Sequence, residues 1–316
     1  MKSFAFVFPG QGSQSVGMLD AWAGHPAVAE ALKEASDALG EDLGRLIKEG
    51  PKEALALTTN TQPVMLVAGV AAYRVWRSEG GAEPAVVAGH SLGEYSALVA
   101  SGVLTLAQAA PLVRFRAAAM QEAVPVGVGA MAAILGMDAA KVMAGCAEAQ
   151  ATFGAGSADV VEAVNFNDAA QTVIAGSKAA VEKACEVLKA NGAKRALPLP
   201  VSAPFHSSLM KPAADKLKEK LAATSFAAPR IPVINNIDVA VETGADRIRD
   251  ALYRQAFGPV RWVECMQAIK ARGITTVVEC GPGKVLAGMV KRIDADMTGA
   301  ALFDPATLAD VKGLLS

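Results

Sequence analysis

The residues best placed for chemistry are Gly89-His90-Ser91-Leu92-Gly93, a G-x-S-x-G run between an apolar stretch (85–88) and a helix-compatible one (92–100). A serine on a sharp strand-to-helix turn takes a strained conformation, and flanking glycines leave room for it. Its hydroxyl then stands clear of the sheet. The N-terminus of the following helix offers free N–H groups and a positive dipole end where an oxyanion would form. Ser91 is therefore the candidate nucleophile. The competing reading is a turn that is only structural.

A serine nucleophile needs a base, and the chain has 3 histidines, His25, His90 and His206. His90 adjoins Ser91 and is expected to point away from it. His25 lies in Ala23-Gly24-His25-Pro26, a loop without a motif. His206, in Val201-Ser202-Ala203-Pro204-Phe205-His206-Ser207 ahead of a helix-compatible run, is the best available base. No Asp or Glu sits in a motif that marks it as the orienting acid. Esterases of this type run Ser, acid, His with the His near the C-terminus. Here about a third of the chain follows His206, which weakens an esterase reading.

Arg116 is a candidate receptor for a substrate carboxylate. On a helix running from Thr105, a plausible N-cap, toward Glu122, its neighbours three and four positions away are Leu112, Val113, Ala119 and Met120. That apolar setting turns Arg116 toward a buried cleft, whereas Arg114 has Ala110, Pro111, Ala117 and Ala118 at the same spacings. An arginine buried without a fixed carboxylate is costly, so a substrate carboxylate is a reasonable partner. The plainer reading is an exposed helix arginine. Pro111 falls inside this helix and should either kink it or begin a new one, which bears on where Arg116 points.

Two glycine-rich loops mislead. Gly10-Gln11-Gly12 fails G-x-G-x-x-G because position 15 is Ser, and Gly281-Pro282-Gly283-Lys284 fails the P-loop pattern at Val278 and Val285. Hydride transfer and nucleotide hydrolysis are both disfavoured. The Gly10–Gly12 loop follows the first strand, and its N–H groups could complete an oxyanion hole beside Ser91.

The elements that must carry these residues alternate β and α, which predicts a parallel sheet covered on both faces. Strands are expected at 4–8, 85–88, 233–235 and 276–279. Helices are expected at 66–76 (entered after Pro63), 92–100, 105–122, 207–222, 245–256 and 263–272, with a last helix after Gly283. Between them, 131–135, 138–150, 160–165, 171–175, 177–190 and 195–199 read β-α-β-β-α-β, the ferredoxin-like pattern. The expected architecture is an α/β-hydrolase-like domain from 1–125 and 199–316, with a small ferredoxin-like insertion at 126–198.

Composition agrees. The 316 residues are 52% hydrophobic and 19% charged, enough apolar material for a large core. Lys+Arg (30) nearly equals Asp+Glu (31), against a dedicated nucleic-acid binder. Cys146, Cys185, Cys265 and Cys280 lack C-x-x-C spacing, and no histidines pair at metal-ligand spacing, so no metal site or disulfide framework is expected. Mean hydropathy is +0.31, yet no continuous apolar span of about 20 residues occurs. The N-terminus lacks the hydrophobic run and cleavage site of a signal peptide. A cytoplasmic protein with no membrane partner is expected.

Several segments in order resemble the malonyl-CoA:acyl carrier protein transacylases of bacterial fatty-acid synthesis. They are Phe8-Pro9-Gly10-Gln11-Gly12-Ser13-Gln14, Gly89 through Glu94, Met120 through Pro125, Asn165-Phe166-Asn167, Val201 through His206 with Leu209-Met210-Lys211-Pro212, Gln255 through Trp262, and Gly281 through Lys284. The resemblance implies ping-pong transfer of a malonyl group from malonyl-CoA to the phosphopantetheine thiol of acyl carrier protein. No cofactor beyond those substrates is implied, and the free-standing relatives are mostly monomers. Ser91 would carry the malonyl ester and His206 would be the base. The main-chain oxygen of Gln255 would orient His206, N–H groups of Gln11 and Leu92 would form the oxyanion hole, and Arg116 would grip the malonyl carboxylate. Phe205 suits a malonyl-sized pocket. Lys194, Arg195, Lys284, Lys291 and Arg292 would flank the interdomain cleft and dock the acidic carrier, although solvated surface charges explain them equally. A serine thioesterase and a non-catalytic carrier-binding module remain the alternatives.

Overall fold

The computed structural model describes every residue except Met1, Ala155 and Ser202. Ser202, within the stretch leading to His206, therefore lies outside the described residues.

The chain opens with β1 (Phe4–Phe8), then α1 (Pro26–Leu39), α2 (Leu43–Glu49), α3 (Lys52–Ala56) and the long α4 (Thr58–Ser78). β2 (Val86–Gly89), α5 (Gly93–Ala100) and α6 (Leu106–Glu122) follow. The next stretch is β3 (Gly129–Leu135), α7 (Ala139–Ala151), β4 (Val161–Asp168), β5 (Gln171–Ser177), α8 (Lys178–Ala190) and β6 (Arg195–Pro198). α9 (Lys211–Ala223), β7 (Val233–Ile234), α10 (Ala245–Gln255), α11 (Trp262–Ala271), β8 (Thr276–Cys280), α12 (Val285–Ile293), β9 (Thr298–Leu302) and α13 (Pro305–Leu315) complete it.

The larger sheet runs β7-β2-β1-β8-β9 with every pairing parallel. Its centre, β1, is buried along its whole length. Side chains alternate across a strand, so Phe4, Phe6 and Phe8 face one way and meet Tyr73 and Trp76 of α4 edge-on. Ala5 and Val7 face the other way, into a core with Trp262, Met266 and Ile269 of α11 and Leu286 of α12. The expected mixed α/β fold with a two-faced parallel sheet is therefore present.

The β-α-β-β-α-β stretch forms a separate antiparallel sheet of order β4-β5-β3-β6. α7 and α8 cover one face, around Ile134, Val142 and Leu188. The other face offers Met131, Ala133, Val164 and Val173 to Leu199, Val201 and Phe205. Val260, between α10 and α11, pairs with β4: its N–H donates to the Val164 oxygen (2.8 Å) and its carbonyl accepts from the Phe166 N–H (3.0 Å).

Four expectations need correction. The helix expected at 66–76 starts at Thr58, with Pro63 inside it. Proline lacks the N–H that would bond Thr59 four residues back, and Nη1 of Arg114 donates to that Thr59 oxygen instead, at 2.6 Å. Pro111 does not begin a new helix: α6 is one element with Pro111 inside it, begun by a reciprocal Thr105–Gln108 capping box. The helix expected at 207–222 is entered through a short 3-10 turn at Ser208–Met210. The helix after Gly283 is not the last, because β9 and α13 follow. β9 (TGAAL) is built of small residues at the sheet edge, which mutes its apolar signal. α1 was also unread, although His25 caps it and Pro26 takes its first position.

Candidate active site

The elbow between β2 and α5 holds Ser91 at φ 52°, a left-handed backbone that a residue with a Cβ adopts only under constraint. The flanking glycines are sterically required. A Cβ on Gly89 would lie 1.9 Å from the Gly93 carbonyl carbon, and one on Gly93 would lie 2.0 Å from the Phe8 oxygen. Buried Asn236, just past β7, clamps the turn. Its Oδ1 accepts from the Ser91 N–H at 2.8 Å, and its Nδ2 donates to the Gly89 oxygen at 2.7 Å.

Ser91 Oγ lies 2.7 Å from Nε2 of His206. His206 is itself at φ 65°, a second strained residue in the same site. Its Nδ1 lies 2.9 Å from the Gln255 main-chain oxygen. A carbonyl can only accept, so Nδ1 carries the proton and Nε2 presents its lone pair to the serine. Burial, and then the charge of Arg116, push the His206 pKa down to about 3, so the ring is neutral at physiological pH.

Arg116 is 2% exposed. Its Nη1 donates to Gln62 Oε1 at 2.6 Å, and its Nη2 reaches Gln255 Oε1 at 3.1 Å and Ser91 Oγ at 3.3 Å. Its guanidinium carbon sits 5.6 Å from the centre of the Tyr95 ring. Among the described residues its hydrogen bonds go only to neutral groups, and its Nε has no acceptor. Arg114 looks elsewhere, to Thr59, Asn60 and Glu41, as its flanking residues predicted.

Ser91, His206, Arg116 and Gln62 line a cavity of about 120 Å³ that also takes in Gln11, His90, Leu92 and Asn165, with Met120, Met131, Leu199, Val201 and Phe205 as apolar wall. The Gln11 loop is pressed against the elbow: a Cβ on Gly10 would stand 2.6 Å from the His90 oxygen. The N–H groups of Gln11 and Leu92 have no protein acceptor among the described residues, and Thr58 donates to the Gln11 side-chain oxygen at 3.0 Å. His90 points away from Ser91. It lies 2.8 Å from Asn167 Oδ1 and packs on Trp262.

The basic residues expected beside the cleft are scattered. Arg195 begins β6 opposite Leu135, with Lys194 just ahead of it, whereas pocket-lining Leu199 lies past the other end. Four residues along a strand span about 13 Å, so this pair does not flank the pocket. Arg292 is committed to buried Asp168 at 2.7 Å, which ties α12 to β4. Lys284 and Lys291 are exposed. His25 caps α1, its Nδ1 accepting from the Ala27 N–H.

Sequence reasoning missed Gln62, Glu94 and Asn236. Glu94 directly follows the elbow motif, and Asn235-Asn236 sits at the C-terminal end of a short strand, where sheet ligands gather. Those were the available signals. Glu94 is 2% exposed. Its Oε2 accepts from the Asn236 N–H at 2.8 Å and from Gln255 Nε2 at 3.1 Å, and burial pushes its pKa up to about 7.

A serine paired with a neutral imidazole, beside free N–H groups and a buried guanidinium, is equipped to take an acyl group that bears a carboxylate. The relatives agree with that reading. A malonyl CoA-acyl carrier protein transacylase of Escherichia coli (strain K12) is 55% identical over 310 residues, 98% of each chain. The crystal structure of an acyl-carrier-protein S-malonyltransferase from Burkholderia pseudomallei is 65% identical, covers 98% of this chain and 99% of its own, and superposes with a TM-score of 0.95. A type II polyketide malonyl-transacylase, solved in complex with its acyl-carrier protein, is 50% identical with a TM-score of 0.94 over 98% of each chain. Residues 5–303 match the sequence model of the acyl transferase domain, and with full-length relatives of this identity the chain belongs to that family, among the malonyl CoA-acyl carrier protein transacylases.

Proposed function

We propose that this enzyme moves a malonyl group from malonyl-CoA to the phosphopantetheine thiol of an acyl carrier protein, through a malonyl ester on Ser91. The 2.7 Å contact between Ser91 Oγ and His206 Nε2, with Arg116 at 3.3 Å from the same oxygen, carries the reading.

In the first half-reaction His206 Nε2 takes the Ser91 hydroxyl proton as Oγ attacks the thioester carbonyl. The Gln11 and Leu92 N–H groups receive the oxyanion. The C–S bond breaks and the CoA sulfur leaves with the proton from Nε2. In the second, the carrier thiol gives its proton to Nε2 and attacks the ester, and Ser91 recovers the proton. The Gln255 oxygen keeps the imidazole in the one tautomer that serves both steps. Arg116 binds the free carboxylate in a two-pronged ion pair. No cofactor beyond the two substrates enters this scheme.

The topology supports a division into an α/β-hydrolase-like domain of 1–125 and 199–316 and a ferredoxin-like insertion of 126–198. The insertion's β4-β5-β3-β6 order follows from its β-α-β-β-α-β connectivity. Lys284 and Lys291 are the stronger candidates for docking an acidic carrier, because Arg292 already has a partner and Lys194 and Arg195 stand off the pocket. Among the described residues no helix is long and apolar enough to cross a membrane.

Weighing the intact protein after exposure to malonyl-CoA tests the scheme. Wild type should gain one malonyl mass and Ser91→Ala none. An unmodified wild type, or equal labelling of both, refutes it.

A further inference from the structure

Behind the pocket wall, Gln255 leads to a buried ionisable group that the scheme above does not use. Arg116 Nη2 donates to Gln255 Oε1 at 3.1 Å, and Gln255 Nε2 donates to Glu94 Oε2 at 3.1 Å, so one amide links the buried cation to a buried carboxylate. In the free enzyme this enclosed cluster balances: one positive guanidinium, one carboxylate. A substrate carboxylate on Arg116 would leave two negative charges against one positive, in a place where unbalanced charge is expensive.

We propose that Glu94 is a proton-coupled counter-charge: it takes up one proton when a malonyl carboxylate occupies Arg116, and releases it when that carboxylate departs. The proposal rests on the assignment of Arg116 as the malonyl receptor. Its consequence is that malonyl thioesters bind with proton uptake and acetyl thioesters, which bring no charge, do not.

The surroundings single out Glu94 as the group that titrates. Arg116 of α6 stays charged at any physiological pH. Asp238, in the loop after β7, is held ionised by two bonds from Arg254 at 2.6 and 2.7 Å. Burial drives Tyr95 of α5 up to about 12 and holds the Cys265 thiol of α11 protonated. His206 lies far below neutrality. Glu94 alone of this set sits near pH 7.

Calorimetric titration of the Ser91→Ala protein, which cannot be esterified, tests this. Malonyl-CoA and acetyl-CoA are each titrated in buffers of differing ionisation enthalpy at pH 8 and pH 6, and the acetyl-CoA value is subtracted to remove the phosphates. The expected net uptake is on the order of one proton at pH 8, and much less at pH 6 where Glu94 already holds its proton. Added Glu94→Gln should bind malonyl-CoA without uptake. Zero uptake at pH 8, equal uptake at both pH values, or uptake that survives Glu94→Gln overturns the proposal. The pH comparison decides even if Glu94→Gln does not fold. Malonyl-CoA binding no tighter than acetyl-CoA, and unaltered by Arg116→Ala, would instead remove the receptor assignment and the proposal with it.

Discussion

Gln255 grips His206 through its main chain and Arg116 through its side chain. The carbonyl lies 2.9 Å from His206 Nδ1, and Oε1 of the same residue accepts from Arg116 Nη2 at 3.1 Å. The proposed base and the proposed carboxylate receptor thus share one fixed support at the end of α10.

Truncating that side chain should separate its two duties. Gln255→Ala keeps the carbonyl that orients His206 but leaves Arg116 and Glu94 each short of a partner. A lost hydrogen bond to a charged group is worth about 1.5–3 kcal/mol. Malonyl-CoA kcat/KM should therefore fall roughly 10- to 150-fold. Ser91 labelling by a neutral fluorophosphonate should fall much less, since it needs no carboxylate receptor. Steady-state kinetics and labelling rates, measured on one preparation, decide the matter.

The acid limb of Ser91 reactivity should be displaced downward. His206 is held near 3 by burial and then by Arg116, against about 6.5 for an ordinary histidine. Between pH 8 and pH 5 the imidazole stays neutral, and the fluorophosphonate labelling rate should stay flat. A labelling rate that halves near pH 6.5 would mean a hydrated, ordinary His206.

Arg116→Ala should reverse the acyl preference. Loss of the charge-assisted pair should lower malonyl-CoA kcat/KM by about 10- to 150-fold, while acetyl-CoA, with no carboxylate to seat, gains relative to it. Competition between the two thioesters for Ser91, read by intact mass, gives the ratio directly. An unchanged ratio would show that the guanidinium does not select the substrate.

Glu279 gives a stability prediction. It is buried in β8, accepts from the Ala287 N–H at 2.8 Å, and burial pushes its pKa up to about 7. The unfolded chain would release that proton near 4.3. Between those values the folded state binds more protons than the unfolded one, so this residue's contribution falls as pH rises from about 4.3 to 7. Glu279→Gln, which cannot ionise, should gain on wild type by roughly 3 kcal/mol between pH 5 and pH 8. Urea unfolding at the two pH values measures it, and a difference independent of pH would refute the assignment.

The candidate nucleophile was legible because an elbow must be written in glycine: both flanking positions meet backbone within 2.0 Å of an added Cβ. His206 was legible by elimination, with only 3 histidines to weigh. Arg116 followed from helical spacing, which survived Pro111. The supports were harder to read. Asn236 and Gln255 come from segments 145 and 164 residues from Ser91, and a single buried amide carries no periodic signature. The parallel sheet showed through its continuous apolar runs, while β9 was lost because an edge strand of small residues looks like a loop.

Pro63 carries a consequence beyond its own helix. By withholding an N–H from Thr59 it leaves an oxygen that Arg114 takes up, and so pins α4 to α6 one turn from where Gln62 meets Arg116. A Pro63→Ala substitution would restore the missing rung of α4, so that the Thr59 oxygen accepted from residue 63 as well as from Arg114. The helix would gain regularity at the expense of an undivided bond between α4 and α6: in this wall of the pocket, a local defect serves as a cross-link beside the Gln62–Arg116 contact.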